Sequence, residues 1–432
     1  MGGDMRVAIV GAGISGLVAA DQLQHVHDVT LFEANDYIGG HTNTVDVEID
    51  GEHHAIDTGF IVFNHRTYPN FVRLIEELGV RYRSTNMGFS VRDDRANVEF
   101  SGESFRGLIA QPRNLLRPGF YRMVLDILRF FRDAVTSIEE LDEQLTVGQF
   151  LKRHRFSREF TEQFLLPMGS AIWSCPCGVF SEFPVRFVIE FYDNHGLLTL
   201  TNRPTWQVID HGSKTYVRAL LNRFRGQVRL NSPIVQVRRH AQIVELTPIQ
   251  GEREQFDHVV FACHSDQALR ILGAEATSVE TDILSRIPYQ TNLAVLHTDR
   301  SVLPKRRRAW ASWNYLISRN SPDAATVTYL MNMLQGIRSN HTFCVTLNDD
   351  ELIDPKLVLR RFQYHHPVFT AERSAAQARH VELLTANRTS FCGAYWGNGF
   401  HEAGVTSGLA VAAALQPSAK PVVASLAKGA VS

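Results

Sequence analysis

A chain of 432 residues is longer than one ordinary hydrophobic core accommodates, so two domains are expected, and a 44% hydrophobic content is enough to pack both. Acidic and basic residues nearly cancel, to a formal charge of -1, which excludes an overall field for nucleic acid and an acidic solvating tail, so any basic binding surface has to be local. Five cysteines without an even, closely spaced framework predict reduced thiols in a cytoplasmic protein. No run approaches the roughly eighteen apolar residues that a spanning helix needs, which leaves peripheral contact as the only expected membrane association.

In chain order, residues 6–10 form a short β-branched run suited to a buried parallel strand, and GAGISG follows directly, ahead of the helical spacing of Leu17, Val18, Ala20 and Leu23. This order predicts a dinucleotide-binding unit. Gly11 makes the tight turn, Gly13 lets the backbone approach a pyrophosphate, and Gly16 lets helix and strand pack closely. The N–H groups of Ala12, Ile14 and Ser15 and the positive end of the helix dipole then face phosphate. A second strand over residues 29–32 ends in Glu33, with Ala34 beside it, placed to accept hydrogen bonds from ribose hydroxyls.

Five further stretches carry a resemblance. EANDYIGGHTNTVDV holds Gly39, Gly40, His41 and Thr42; IDTGFIVFN holds Thr58, Gly59, Phe60 and Ile61. RLNSPIVQVRR holds Ile234, DHVVFACHSDQAL holds Ala262, and FCGAYWGNGFHEAGVTSGL holds Gly393, Gly404 and Val405. Together they resemble the flavin amine oxidase, protoporphyrinogen oxidase and phytoene desaturase superfamily, discontinuously but along the whole chain. The resemblance implies an α/β fold, with a Rossmann-like FAD-binding domain of glutathione-reductase type and a discontinuous mixed α+β substrate domain.

The implied cofactor is FAD. Gly39 and Gly40 give the second phosphate-side signature, followed here by His41 where many relatives have Arg. Thr58, Gly59 and Phe60 present backbone near the ring, Ile234 brackets adenine, Ala262 passes the cofactor, and Gly393 passes the ribityl and diphosphate. Gly404 with Val405 opens a helix whose N-terminus faces the flavin pyrimidine and stabilises negative charge there. His401 and Glu402 lie in the segment facing the flavin and are the candidate catalytic residues. Binding is expected to be non-covalent, because GFHEAG contains no cysteine, with a linkage through His401 as the alternative. A second complete strand–GxGxxG–helix–strand–acid unit is not found, so electrons are expected from an organic substrate rather than a bound nicotinamide, with oxygen or another acceptor reoxidising the flavin.

These segments assign residues 1–85, 205–266 and 388–432 to the FAD-binding domain and 86–204 and 267–387 to the substrate domain. The first insert reads as helical, with TVGQFLKRHRFSREFTEQFLLPMGSAIWS showing helical spacing before Pro167; the second has strand-like runs NLAVLHTD, TVTYLMNML and TFCVTL. Residues 104–132 contain six arginines against one acid, interleaved with apolar residues at helical spacing. That composition suits an anionic membrane surface, or a core-facing helix with a solvated arginine face. LPKRRRAWASWNY repeats the theme. Cys175 and Cys177 have no second pair, and the His53–His54 and His365–His366 pairs read as strand or turn residues, so no metal site is expected.

LPMGSAIWS, WASWNY, VTYLMNMLQ and GFHEAGVTSGL are most similar to a subgroup associated with cyclopropane-fatty-acid-synthase-like methyltransferases. That likeness implies removal of hydride from an apolar substrate, a long methyl-branched or unsaturated fatty acyl chain. The implied partners are that lipid or another apolar small molecule, a fatty-acid methyltransferase and an anionic membrane surface at the inner face, with no nucleic acid. Three rivals stand beside this reading: a flavin amine oxidase with Tyr395 and Trp396 in an aromatic cage, a non-redox flavin mutase, and a flavin-binding module without turnover.

Overall fold

RVAIV, the strand Arg6–Val10, has four successive buried residues because it lies at the centre of a sheet covered on both faces. The computed structural model, which describes residues 4–138, 141–142, 144–199, 203–319 and 326–416, groups the chain into two compact units. Unit 1 comprises residues 1–40, 216–287 and 375–432; unit 2 comprises 41–215 and 288–374. The divisions thus fall near 40, 215, 287 and 374, against sequence boundaries at 85, 205, 266 and 388. Residues 417–432 of the expected FAD-binding domain lie outside the described residues.

The sheet of unit 1 has five parallel strands in the order Gln227–Arg229, Asp28–Phe32, Arg6–Val10, His258–Phe261 and Thr389–Phe391. Neighbouring strands that are far apart in sequence require crossover connections, and the helix Ile14–Leu23 is the first of them. An antiparallel sheet of Ile234–Arg239, Val244–Pro248 and Glu254–Phe256 contributes to a core that includes Val10, Phe32, Val237, Leu246 and Phe261. Arg239 and Glu280, 9% and 1% exposed at their side chains, form an ion pair at 2.5 Å that ties this sheet to the helix Ser278–Ser285.

Unit 2 is built on a seven-stranded mixed sheet in the order Val358–Pro367, Tyr289–His297, Cys344–Leu347, Thr326–Leu330, Trp313–Ile317, Phe89–Asp93 and Val98–Ser101. Each of the three strand-like runs of the second insert enters it. The hairpin Thr44–Ile49/Glu52–Asp57 turns at Asp50 and Gly51, both at positive φ (49° and 78°), as a two-residue Asp-Gly turn requires. A small sheet pairs Val62–Asn64 and Tyr82–Thr85 with Trp206–Ile209, so residues 44–85 build unit 2.

The helical pattern of the first insert continues past Pro167. Residues Thr161–Leu165 adopt a π-helical turn and Leu166–Trp173 is α-helical. Proline has no N–H to give to the preceding turn, and the wider turn relieves the clash with the carbonyl that its ring would otherwise meet.

Five histidines are held neutral inside the two units. Burial pushes His195, His258, His297 and His380 down to about 4, while burial, then His41 and His365, push His366 down to about 3. The unfolded chain binds protons at these rings below about pH 6.5 and the fold does not, so their contribution to stability is lost as pH falls from there toward 4. Asp57, raised to about 6 by burial, acts with the opposite sign and is outnumbered. We expect the thermal midpoint to drop steeply below pH ~6 with uptake of several protons; a flat profile between neutral pH and pH ~4 would contradict the buried neutral rings.

Candidate active site

In unit 1 the first glycine loop is shaped by two steric necessities and one open position. Gly11 has φ +111°, and a Cβ there would lie 2.9 Å from the Ala262 carbonyl carbon. One on Gly16 would lie 2.0 Å from the Gly11 oxygen. At Gly13 a Cβ would meet nothing within 4 Å. The helix starting at Ile14 leaves its first N–H groups without intrahelical partners beside that open position.

The acidic residue and the glycine pair converge on the same loop. Glu33, 5% exposed, accepts the Ala12 N–H at 2.8 Å through Oε2, while Oε1 accepts the Asn35 backbone and side-chain N–H at 2.9 and 2.7 Å. Ala34 is exposed next to it. Gly39 gives its N–H to the Ala12 carbonyl at 2.9 Å, and Gly40, at φ +57°, would place a Cβ 3.3 Å from Gly13 Cα. Ile234 is buried two residues beyond Ser232, whose N–H donates to the Glu33 carbonyl at 2.8 Å.

The C-terminal segment joins the loop through helix packing. The helix His401–Leu415 opens at His401, after Phe400, not at Gly404 and Val405. Gly404 lies in its first turn, where a Cβ would stand 2.7 Å from Ile14 Cγ2, and a Cβ on Gly408 would stand 2.6 Å from the Ser15 carbonyl oxygen. Its glycines therefore serve close approach to the helix Ile14–Leu23, with Val405 buried in the contact region of the same helix. Gly393 gives its N–H to Ser407 Oγ at 2.9 Å, which returns a bond to the Gly393 carbonyl at 3.0 Å. His401 is 8% exposed, its Nε2 2.6 Å from the Tyr216 hydroxyl, and Glu402 sits in the helix's first turn.

His41, Thr42, Thr58, Gly59, Phe60 and Ile61 belong to unit 2. The Thr44–Asp57 hairpin extends at its open end: Thr58 N–H donates to the Asn43 carbonyl at 2.9 Å and Phe60 N–H to the His41 carbonyl at 2.7 Å. Gly59 must be glycine, because a Cβ would lie 2.2 Å from the His41 oxygen. Thr42 and Ile61 are buried. Asp57, 0% exposed, anchors the turn by accepting from Thr44 Oγ1 at 2.5 Å, the Ser213 N–H at 2.9 Å and Gln335 Nε2 at 3.0 Å.

A polar cluster in unit 2 escaped the sequence reasoning. The Tyr364 hydroxyl lies 2.8 Å from Thr58 Oγ1 and accepts Asn43 Nδ2 at 3.0 Å. Two residues along the same strand, and so on the same face, His366 Nδ1 accepts from Asn292 Nδ2 at 2.7 Å, and the His41 ring lies 5.0 and 5.2 Å from the Tyr364 and His366 rings. The alternation Tyr364–His366 in a strand-like run was the available signal, but its partner Asn292 is 74 residues away. The Cys177 thiol meets the Tyr315 hydroxyl at 3.3 Å, and no cluster of three or more His, Cys, Asp or Glu is placed to hold a metal among the described residues.

The residues of unit 1 fit a dinucleotide: a cleared position over Gly13, unpaired helix N–H groups beside it and a buried acid at the end of the second strand. Comparison with known proteins agrees. The profile of the family described as flavin containing amine oxidoreductase matches residues 14–354. Zeta-carotene desaturase from Synechocystis sp. is 40% identical over 78 residues, 18% of this chain and 15% of that protein's length. Among solved structures, cyclohexylamine oxidase from Brevibacterium oxydans superimposes with a TM-score of 0.67 at 16% identity, covering 95% of this chain and 98% of that one. The CLA-producing fatty acid isomerase from P. acnes gives 0.67 at 14% identity, covering 94% and 98%. At such identities the two superpositions speak for the fold alone. The fold, the nucleotide cradle and the profile match over most of the chain converge: this protein belongs to the flavin-containing amine oxidoreductase family and is an FAD-dependent oxidoreductase.

Proposed function

We propose that the protein removes hydride from a carbon position of a long apolar chain, a methyl-branched or unsaturated fatty acyl group, and that it works beside a fatty-acid methyltransferase as the likeness to the methyltransferase-associated subgroup implies. FAD held non-covalently supplies the hydride acceptor. The observation that carries the acyl reading over a small-amine one is the placement of Tyr395 and Trp396. Trp396 stacks on His380 with ring centroids 4.0 Å apart and gives its indole N–H to the Phe391 carbonyl at 3.1 Å. Tyr395 is 2% exposed, with its ring against Gly393. The pair expected to wall an amine site is engaged in packing unit 1.

The phosphate side of the cofactor would rest on Gly11–Gly16, Gly39 and Gly40 and the ribose on Glu33; within unit 2, Tyr364 fixes the Thr58 hydroxyl. Loss of two hydrogens leaves a proton to be placed. Asp57, with a pKa of about 6, has the right acidity for a base, but it is wholly buried and all its bonding is internal. His366, pushed down to about 3 mainly by burial, stays neutral at ordinary pH. It therefore acts as a neutral hydrogen-bond partner for Asn292, and the proton passes to water. His401 Nε2 lies 2.6 Å from the Tyr216 hydroxyl, which supports a positioning role for it and a cofactor held without a covalent link.

Anaerobic titration tests the reading. Detergent-dispersed phospholipid bearing methyl-branched chains should bleach the yellow flavin and lose two hydrogens by mass, whereas amines and nucleotide sugars should leave the colour. Bleaching by a small amine alone would reverse the assignment, and a lipid mass unchanged after full bleaching would exclude the acyl chain as donor.

A further inference from the structure

The arginine-rich stretch does something in the fold that its sequence does not show. The helix Pro118–Ser137 buries Phe120, Met123, Phe130 and Ala134 against unit 2, yet on another face it presents Tyr121, Leu125 and Leu128, spaced i, i+4, i+7, with Leu125 65% exposed. Just before it, Leu116 is 85% exposed, and the Tyr121 hydroxyl bonds the Leu115 carbonyl at 2.8 Å, which fixes that turn to the helix. Phe105, on the short helix Phe105–Leu108, is 74% exposed. Single exposed leucines are ordinary; this many from one stretch of chain are not.

A second basic run, 200 residues away, is brought to the same place. The organiser is Glu99 on Val98–Ser101, the edge strand of the seven-stranded sheet. Its N–H donates to Gln111 Oε1 and its carbonyl accepts Asn114 Nδ2, both at 3.0 Å, which fastens the segment bearing Leu115 and Leu116. Its carboxylate accepts the N–H groups of Lys305 and Arg306, both at 3.2 Å, so the turn Arg307–Ala309 packs against the helix Phe105–Leu108. Of the six arginines in residues 104–132, three are locally neutralised: Arg122 by Glu159, Arg129 by Asp126 and Arg132 by Asp133. Among the described residues Arg106, Arg113, Arg307 and Arg308 are exposed and in no ion pair.

We propose that this face of unit 2 docks on an anionic phospholipid bilayer, with Leu116, Leu125 and Leu128 entering below the headgroups and Arg106, Arg113, Arg307 and Arg308 meeting lipid phosphates. The choice of partner follows from charge: around the apolar side chains the four exposed arginines in no ion pair outnumber Glu103, an exposed acid that is likewise in none, and an amphipathic surface with a basic rim is what an anionic interface binds. The proposal rests on the acyl-lipid reading for its purpose, but binding is measured without turnover. No helix among the described residues is long and apolar enough to cross a membrane, so the attachment is to one leaflet.

The test is sedimentation of the FAD-loaded protein with vesicles of phosphatidylcholine alone or mixed with phosphatidylglycerol. The parent should bind only the mixed vesicles, and binding should weaken as salt rises. Arg106→Gln, Arg113→Gln, Arg307→Gln and Arg308→Gln together should cost ~100-fold or more in affinity, and Leu116→Ser with Leu125→Ser and Leu128→Ser ~10-fold or more, with flavin content and thermal midpoint unchanged in both. The proposal is overturned if the parent stays in the supernatant, if the four-Gln variant binds as the parent does, or if the serine variant unfolds or dissolves a dimer, since the face would then be packed against protein. Bleaching by detergent-dispersed lipid in a protein that ignores vesicles would retire the docking surface and leave the substrate assignment standing.

Discussion

Gly13→Val should give a folded, colourless protein. The backbone at Gly13 has φ -74° and ψ 179°, extended values that valine adopts readily, and no atom lies within 4 Å of a Cβ there. The fold therefore loses little, within about 0.5 kcal/mol. The flavin loses its seat, because two added methyls fill the space through which a pyrophosphate reaches the loop backbone and the helix N–H groups. Retention of FAD should fall by two orders of magnitude or more, read as the ratio of flavin to protein absorbance, with a circular-dichroism melt as the folding control. Gly11→Val and Gly16→Val make the contrast: one meets the Ala262 carbonyl carbon at 2.9 Å and the other the Gly11 oxygen at 2.0 Å, so both should fail to fold. A yellow Gly13→Val protein would mean that the cofactor's phosphates lie elsewhere.

Asp57→Ala should be the costliest single change in unit 2 outside its apolar core. It removes the acceptor for Thr44 Oγ1, the Ser213 N–H and Gln335 Nε2 at a fully buried site, leaving several donors without partners. A loss of ~3–5 kcal/mol is expected, seen as a lower urea midpoint. Asp57→Asn, which keeps one acceptor oxygen, should lose less. A variant as stable as the parent would show that the turn is held by the hairpin alone.

What the sequence by itself determined is local. The strand at residues 6–10, the glycine loop, the helix after it and the acid at position 33 were legible because each is written in consecutive residues whose backbone needs are specific. Gly39 and Gly40 were legible as a motif; that they pack on Ala12 and Gly13 required the parallel sheet to bring them back. The C-terminal glycines show the limit most clearly: the sequence assigned Gly404 to opening a helix, whereas a helix already begun at His401 uses it to approach Ile14, a contact across 390 residues. The same is true of Tyr364, His366 and Asn292, which no spacing rule connects, and of Glu99, which unites two basic runs that look unrelated along the chain. Periodicity and turn chemistry encode which face a residue takes within its own element. Which elements meet is set by burying apolar surface and satisfying buried polar groups over the whole fold, and only the tertiary structure decides that.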